Sequence, residues 1–253
     1  MAEIDLLTAL LAVVQAAFVG VLMGVIGGGG GSVYVLLMTL FTSLPPARAV
    51  GTGLLLATCG SATASSRHLR DGRTSVRAAL PVAACGAAAA ATGGILAHRI
   101  PPAVLTWAIV VVFVALGALP FLLPTPADDG APPRRVPPYA DGAVGAAVGL
   151  AAGTVGVSGG APLASWFGAA RGLGATRGVA TALVAVTATS AVGAATHVAL
   201  GQVDWTWFAL LAVGGVIGSY AGARLTSHVP QRPLMLGCGA LSVVTAVALL
   251  ART

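Results

Sequence analysis

The chain has 253 residues, of which 57% are hydrophobic and 8% are charged, and its mean hydropathy is +0.94. Since a soluble protein carries about 25% charged residues, this composition excludes an ordinary soluble domain and predicts an integral membrane protein. The formal net charge is +6, from 13 basic residues, all of them arginines, and 7 acidic ones. The arginines lie mainly at the ends of apolar runs, which indicates membrane topology rather than binding to nucleic acid.

Eight mostly apolar runs approach the length of about 20 residues that a membrane-spanning helix needs. In chain order they are Ile4–Ile26, Ala49–Ser66, Val76–Ala97, Ala103–Leu123, Ala143–Val157, Val179–Val198, Trp205–Ala223 and Leu234–Leu250. Two shorter runs, Val33–Phe41 and Ala161–Ala170, each follow a glycine-rich stretch. The pattern predicts an all-α polytopic membrane protein with eight to ten hydrophobic helices, embedded in a lipid bilayer.

The first half of the sequence recurs in the second half at a shift of 129 residues. The aligned landmarks are GVLMGVIGGGGG at Gly20–Gly31 with GLAAGTVGVSGG at Gly149–Gly160, RAVGT at Arg48–Thr52 with RGVAT at Arg177–Thr181, His68 with His197, and Pro101 with Pro230. No gap is needed over this length, so the match indicates a duplication. Residues 1–123 are the first predicted repeat and residues 143–253 the second. The segment 124–142, rich in proline and charge, is predicted to be a linker loop within one membrane domain.

The arginines favour inverted repeats. The segment Arg67–Arg77 holds four arginines, whereas its counterpart Thr196–Thr206 holds none. If each half crosses the membrane an odd number of times, ten arginines fall on the cytoplasmic side and three fall outside, as the positive-inside rule requires. A parallel duplication with four crossings per half stays open, because hydropathy does not show whether each glycine-broken pair is one span, two spans or a re-entrant hairpin.

Five consecutive glycines, Gly27–Gly31, interrupt the first apolar region, and a second interruption includes Ser158 and Gly160. Glycine costs a helix interior about 1 kcal/mol relative to alanine. Backbone leaves the helix at membrane depth only where protein or a water-filled cavity surrounds it, and paired breaks of this kind mark transporter binding sites. The helices that follow offer free N–H groups and a positive dipole end, which bind anions.

The short helix after Gly31 is predicted to have Ser32 as its N-cap, and Pro162 suits the first turn of its counterpart. Close helix packing is an alternative reading of the glycines, and it is the one we adopt for Gly20-x-x-x-Gly24 and its repeat. The predicted substrate-binding residues are the glycines and hydroxyls at the breaks and on the helices that follow: Gly28, Gly29, Gly30, Gly31, Ser32, Thr52, Ser61, Ser158, Gly159, Gly160, Thr181 and Ser190.

No acidic residue lies inside a predicted span, although cation pumps usually place one there. An anion or a neutral solute suits a core without buried negative charge, and a small anion is the substrate that the helix ends favour. The absence of a positioned carboxylate pair within the membrane argues against acid–base catalysis, and three cysteines without CxxC spacing argue against a zinc site. We expect no catalytic residue, metal or cofactor. The hydroxyls named above also have a structural alternative, since each can bond another helix or the carbonyl four residues back.

These motifs resemble the TauE/SafE family of sulfite exporters. The likeness runs from Gly20 to the C-terminus, through GVIGGGGG, RAVGTG and RHLRDGRTS in the first half and GTVGVSGGAPL, RGVATA and HVALGQVDW in the second. It implies a multi-pass permease of a bacterial-type plasma membrane that exports sulfite or organosulfonate-type anions by alternating access. The sequence departs from the family pattern at Ser32-Val33, where a proline is common, and at Gly178 and Ala180.

Two other functions are compatible with the residues. One is a passive anion channel, whose conductance would not depend on a coupling ion. The other is a membrane-embedded thiol enzyme that uses Cys59, which would lose its activity when the cysteines are replaced.

Cysteine labelling tests the predicted topology. Single cysteines within Arg67–Arg77 are expected to react only with reagents that reach the cytoplasm, and cysteines at Gln202–Asp204 only with reagents added outside, because inverted repeats place equivalent loops on opposite sides. The measurement is the labelling of intact cells and of inverted vesicles with an impermeant maleimide. Labelling of both loops from the same side would contradict the inverted arrangement.

Overall fold

The computed structural model describes residues 6–27, 30–42, 44–122 and 136–226, with a few isolated positions between 229 and 247. Within these ranges the chain forms α-helices and one π-helical turn. They are α1 (Leu6–Ile26), α2 (Gly30–Phe41), α3 (Pro46–Arg70), α4 (Val76–Arg99), α5 (Pro102–Leu122), α6 (Pro138–Val155), α7 (Gly160–Ser165) with the π-turn Trp166–Ala170, α8 (Ala175–Ala199) and α9 (Trp205–Leu225). The predicted all-α architecture is confirmed for the described residues. The predicted run Leu234–Leu250 falls largely outside them.

Two boundaries differ from the sequence-based expectation. Helix α6 begins at Pro138, inside the predicted linker, because proline fits the first turn of a helix, where its missing N–H would have no intrahelical acceptor. Helix α2 begins at Gly30, so Ser32 lies in its first turn and the predicted N-cap is wrong. Gly30 is buried against Met23, which shows that tertiary packing overrides the low helix propensity of glycine here.

Pairs of helices from opposite halves pack backbone to backbone. Helix α1 runs along α9, and its repeat counterpart α6 runs along α4 in the same manner. A Cβ on Gly20 would collide with the carbonyl oxygen of Gly215, and a Cβ on Gly149 would collide with that of Gly86, the repeat mate of Gly215. The packing role that we predicted for the two Gly-x-x-x-Gly pairs is therefore confirmed.

Helices α3 and α8, which are repeat mates, form a central antiparallel pair. The backbone N–H of Asp204, just after α8, donates to Thr52 Oγ1 near the start of α3, over 2.9 Å. The equivalent bond joins the N–H of Ser75, just after α3, to Thr181 Oγ1 near the start of α8, over 3.1 Å. The two repeats therefore exchange the same hydrogen bond in both directions.

The outer surface of the bundle is apolar. Large side chains such as Phe18, Val111 and Ile217 are between 61% and 63% exposed, and a hydrocarbon surrounding accounts for this exposure, whereas water does not. Within the described ranges α4, α8 and α9 are long and apolar enough to cross a membrane. Shorter apolar helical stretches are Leu10–Ile26, Gly30–Thr39 and Pro102–Ala115. The chain is a polytopic α-helical membrane protein.

The paired threonine bonds give a prediction about stability. Thr52→Val and Thr181→Val should each lower the free energy of unfolding by about 1–3 kcal/mol, because each leaves a backbone N–H without its acceptor. The measurement is unfolding of the purified protein in mixed detergent micelles.

Thr58→Val is the matched control, since its hydroxyl donates to the Leu54 carbonyl within the same helix. It should cost less than about 1 kcal/mol, because that carbonyl keeps its intrahelical partner. Equal losses in all three variants would contradict the interpretation of the two threonines as clamps between the halves.

Candidate functional site

Each half contains a break in which glycines adopt backbone angles that other residues avoid. In the second half Gly156 and Gly159 have φ of +79° and +64° and flank a non-helical stretch before α7. In the first half Gly27, the repeat mate of Gly156, has φ of +91°. These left-handed values favour glycine. Gly28 and Gly29, which we predicted as ligands, lie outside the described residues.

The two breaks meet. A Cβ placed on Gly31 would lie 2.9 Å from the Cβ of Ser158 and 3.0 Å from that of Ala57, so Gly31 touches both the opposite break and α3. Gly30, Gly31 and Ser158 are buried, as are Gly159 and Gly160. We call this contact region, Gly30–Gly31 with Ser158–Gly160, the break junction. The predicted pairing of the glycine-rich segments thus exists as a closed contact.

Two helices begin at the break junction. Helix α2 starts at Gly30 and α7 at Gly160, each within a residue or two of the contact between Gly31 and Ser158. The first N–H groups of a helix have no acceptor within that helix, and its N-terminal end carries a partial positive charge. Two such ends close together, with glycine in place of side chains, can hold a small anion through the backbone. Pro162 lies in the first turn of α7, as expected.

The predicted serines of the central helices lie at the level of the junction. Ser61 is one helical turn beyond Ala57, on the same face of α3. Its repeat mate Ser190 has the equivalent place on α8, and both side chains are fully buried. The Ser61 hydroxyl donates weakly to the Thr58 carbonyl over 3.3 Å. The Ser190 hydroxyl has no hydrogen-bond partner within the described part of the chain.

Thr52 and Thr181 are placed far from each other. A Cβ on Gly51 would lie 2.9 Å from the Cβ of His197, which puts the start of α3 beside the end of α8. Thr181 precedes His197 by about 16 residues on α8, so at 1.5 Å per residue the two threonines are roughly 24 Å apart along the axis. One small anion cannot contact both. Each hydroxyl already accepts a backbone N–H from the other half.

Sequence reasoning missed a buried charge cluster. Asp141, which lay in the predicted linker, is fully buried in the first turn of α6. It forms an ion pair with Arg171, with the Arg171 Nε 3.0 Å from Oδ1, and it accepts the indole N–H of Trp166 over 3.0 Å. The three residues join the start of α6 to the π-turn after α7. A comparison of the repeats position by position would have shown the signal, because the first half carries no charge at the equivalent positions.

The arrangement of paired helix breaks in an apolar helical bundle is that of a membrane permease. The family model "Sulfite exporter TauE/SafE" matches residues 12–249, and the chain belongs to this family. The resemblance noted in the sequence is thereby confirmed. The chain is 34% identical over 108 residues to the "Probable membrane transporter protein ORF9" of Sinorhizobium sp. That match covers 43% of this chain and 37% of the relative. No solved structure matches the chain.

The contact between the breaks can be tested by a double-mutant cycle. Gly31→Ala should lower the free energy of unfolding by about 1–3 kcal/mol, because the new methyl group overpacks against Ser158 and Ala57. Adding Ser158→Gly removes one of these contacts and should restore a large part of the loss, measured as a favourable coupling energy of more than about 0.5 kcal/mol.

Gly72→Ala paired with Ser158→Gly is the control, since no atom lies within 4 Å of a Cβ on Gly72. Those two changes should be additive. Additivity of Gly31→Ala with Ser158→Gly as well would show that the breaks do not touch.

Proposed function

We propose that this protein is a secondary transporter of small anions, most readily sulfite or organosulfonate-type sulfur oxyanions, which it exports across a bacterial-type plasma membrane. The substrate binds at the break junction, and transport proceeds by alternating access around it. The observation that carries this proposal is the meeting of two helix N-termini in a buried contact between the two repeats, where Gly31 lies against Ser158. Membership of the sulfite exporter family supports the choice of a sulfur oxyanion as the substrate.

The distribution of charge supports an anionic substrate. Of the acidic residues within the described ranges, Asp71 is exposed, Asp204 caps α9 by accepting the Trp207 N–H, and Asp141 is neutralised by Arg171. None of these carboxylates contacts Gly31 in the break junction. Helix N-termini therefore provide the local electrostatics, and their positive ends favour a negative ligand.

The closure of the junction favours a carrier over an open channel. Gly30, Gly31 and Ser158 are buried, so an anion reaches them only when the surrounding helices separate. A carrier needs such an occluded site, whereas a passive channel needs a continuous path.

The antiparallel packing of α3 against α8 supports the inverted orientation of the repeats. Equivalent helices that run in opposite directions place their equivalent ends on opposite sides of the membrane, which is the relation found in many secondary transporters. In this orientation the arginine-rich segment Arg67–Arg77 faces the cytoplasm.

Flux through reconstituted vesicles tests the proposal. Purified protein in proteoliposomes should carry radiolabelled sulfite, or one of sulfate, thiosulfate and simple sulfonates, with saturation and with counterflow, because a carrier exchanges its substrate across the membrane. Gly31→Ala should reduce this flux at least about tenfold, which corresponds to about 1.4 kcal/mol of lost binding or translocation free energy.

Gly20→Ala is the matched control, since its new methyl group collides with the α9 backbone away from the junction. It should reduce stability and leave the flux per folded molecule near that of the original protein. Flux that is linear in concentration and lacks counterflow would identify a channel. Loss of function on replacing Cys59, Cys85 and Cys238 together would favour the thiol enzyme.

A further inference from the structure

The two repeats differ at one place where their backbones correspond. The shift that aligns the repeats superimposes Asp141, Trp166 and Arg171 of the second half on Ala12, Leu37 and Thr42 of the first. In the second half these three positions hold the buried ion pair and the indole bonded to it. In the first half the same three positions line a cavity of about 250 Å³ between α1, α2 and α9.

The charge cluster lies at one end of the bundle. Asp141 begins α6, and Arg171 follows the π-turn, so their ion pair holds the end of the short broken helix against α6. Helix α6 runs along α4 in parallel, with Gly145 against Val82, which places the cluster at the end that carries Arg67–Arg77. We call this end the arginine-rich end. Beneath the cluster, Val82 packs with Leu163 and Phe167 in one apolar core, and Trp166 lies against it.

The corresponding place at the other end is a cavity. Its lining extends from Thr42 and the first turns of α9 past Gln15 to Tyr34. Tyr34 lies one helical turn from Gly31 and donates its hydroxyl to the Ala16 carbonyl over 2.9 Å. Leu211, the repeat mate of Val82, lines this cavity. Equivalent positions thus hold the charge cluster at one end and line a cavity at the other.

Stability alone does not account for the ion pair. Desolvation of two charges offsets their attraction, so replacement of a buried pair by well-packed apolar residues is often neutral or stabilising. The first half folds with Ala12, Leu37 and Thr42 at the same positions. A buried pair is, however, well suited to a contact that must form and break, because its charges are hydrated again when the two helices separate.

We propose that the Asp141–Arg171–Trp166 cluster is the gate at the arginine-rich end, and that the cavity between α1, α2 and α9 is the open counterpart of this gate. This inference rests on the alternating-access function proposed above and adds an asymmetry to it. Because the first half has no ionisable pair at the equivalent positions, the closed gate favours one conformation, in which the cavity at the Asp204 end is open. Loss of the ion pair shifts the population towards the opposite conformation.

Two cysteine reporters at equivalent positions measure both ends in one protein. The background carries replacements of Cys59, Cys85 and Cys238, and the reporters are Leu211→Cys in the cavity and Val82→Cys beneath the cluster. Each is labelled with a small, water-soluble methanethiosulfonate reagent in detergent or in leaky vesicles. With the ion pair intact, Leu211→Cys should react quickly and Val82→Cys slowly.

The charges of the gate are then removed by Asp141→Asn with Arg171→Gln. Val82→Cys should react at least about tenfold faster and Leu211→Cys should react more slowly, since the labelling rate follows the population of the open state. The first-half residues, Asp141→Ala with Arg171→Thr, form a second variant with the same expectation. If the cluster had only a structural role, its loss would loosen the protein and would not slow the labelling of Leu211→Cys at the other end. Opposite changes in the two labelling rates are therefore the deciding result.

Two controls bound the result. Arg171→Lys keeps a charge pair but not both hydrogen bonds of the guanidinium, so its labelling rates should lie closer to those of the parent protein than to those of the neutral variants. Arg67→Gln with Asp71→Asn removes an ion pair at the same end whose members are 34% and 23% exposed, and it should change neither rate. Unchanged labelling of Val82→Cys in both neutral variants, or faster labelling of both reporters together, would overturn the gate. Because the labelling assay needs no substrate, a result that contradicts the gate can be distinguished from a result that contradicts anion transport in the flux assay.

Discussion

Close contact between helix backbones holds the two halves of this protein together. In a bilayer the lipid tails are as apolar as the side chains, so helix association depends on van der Waals packing and hydrogen bonds. Helices α1 and α9, and equally α4 and α6, approach until glycine Cα atoms meet carbonyl oxygens of the neighbouring helix, as at Gly20 and Gly149. Each of these pairs joins one repeat to the other, so neither repeat has a complete interior by itself.

This interlocked packing makes the helix breaks possible. Non-helical backbone at membrane depth needs surrounding protein to satisfy or shield its polar groups. The breaks at Gly27 and Gly156 lie against Val179 and Val50, which are themselves repeat mates at the starts of α8 and α3. The same environment brings Gly31 against Ser158. The contact between the breaks therefore depends on both repeats, because each half supplies the surroundings that the break of the other half requires.

The positions at which the two repeats differ are as informative as the positions at which they agree. Thr52 and Thr181 make equivalent bonds, and the left-handed glycines Gly72 and Gly201 end α3 and α8 in the same way. By contrast with these equivalent contacts, the charged pair of Asp141 and Arg171 has no counterpart at the matching positions of the first half. π-Helical turns are rare and often occur at functional sites. Here the π-turn lies between α7 and Arg171. The two ends of the molecule thus have equivalent arrangements of helices but different side chains at these positions.

Hydropathy and internal repetition were sufficient to predict the class, the positions of most helices and the paired breaks, because apolar length and glycine content are local properties. The Gly-x-x-x-Gly pairs were also assigned correctly, since small residues at this spacing have few other uses in membrane helices. Contacts between distant segments were beyond such reasoning. Asp141 was placed in a linker because its partner, Arg171, is 30 residues away and only folding brings them together. The sequence predicts that Thr52 and Thr181 lie near one ligand, but the antiparallel packing of α3 against α8 separates these repeat mates along the helix axis. The arginines already favour opposite directions for the two repeats, whereas only the packing of the helices shows which residues then come together.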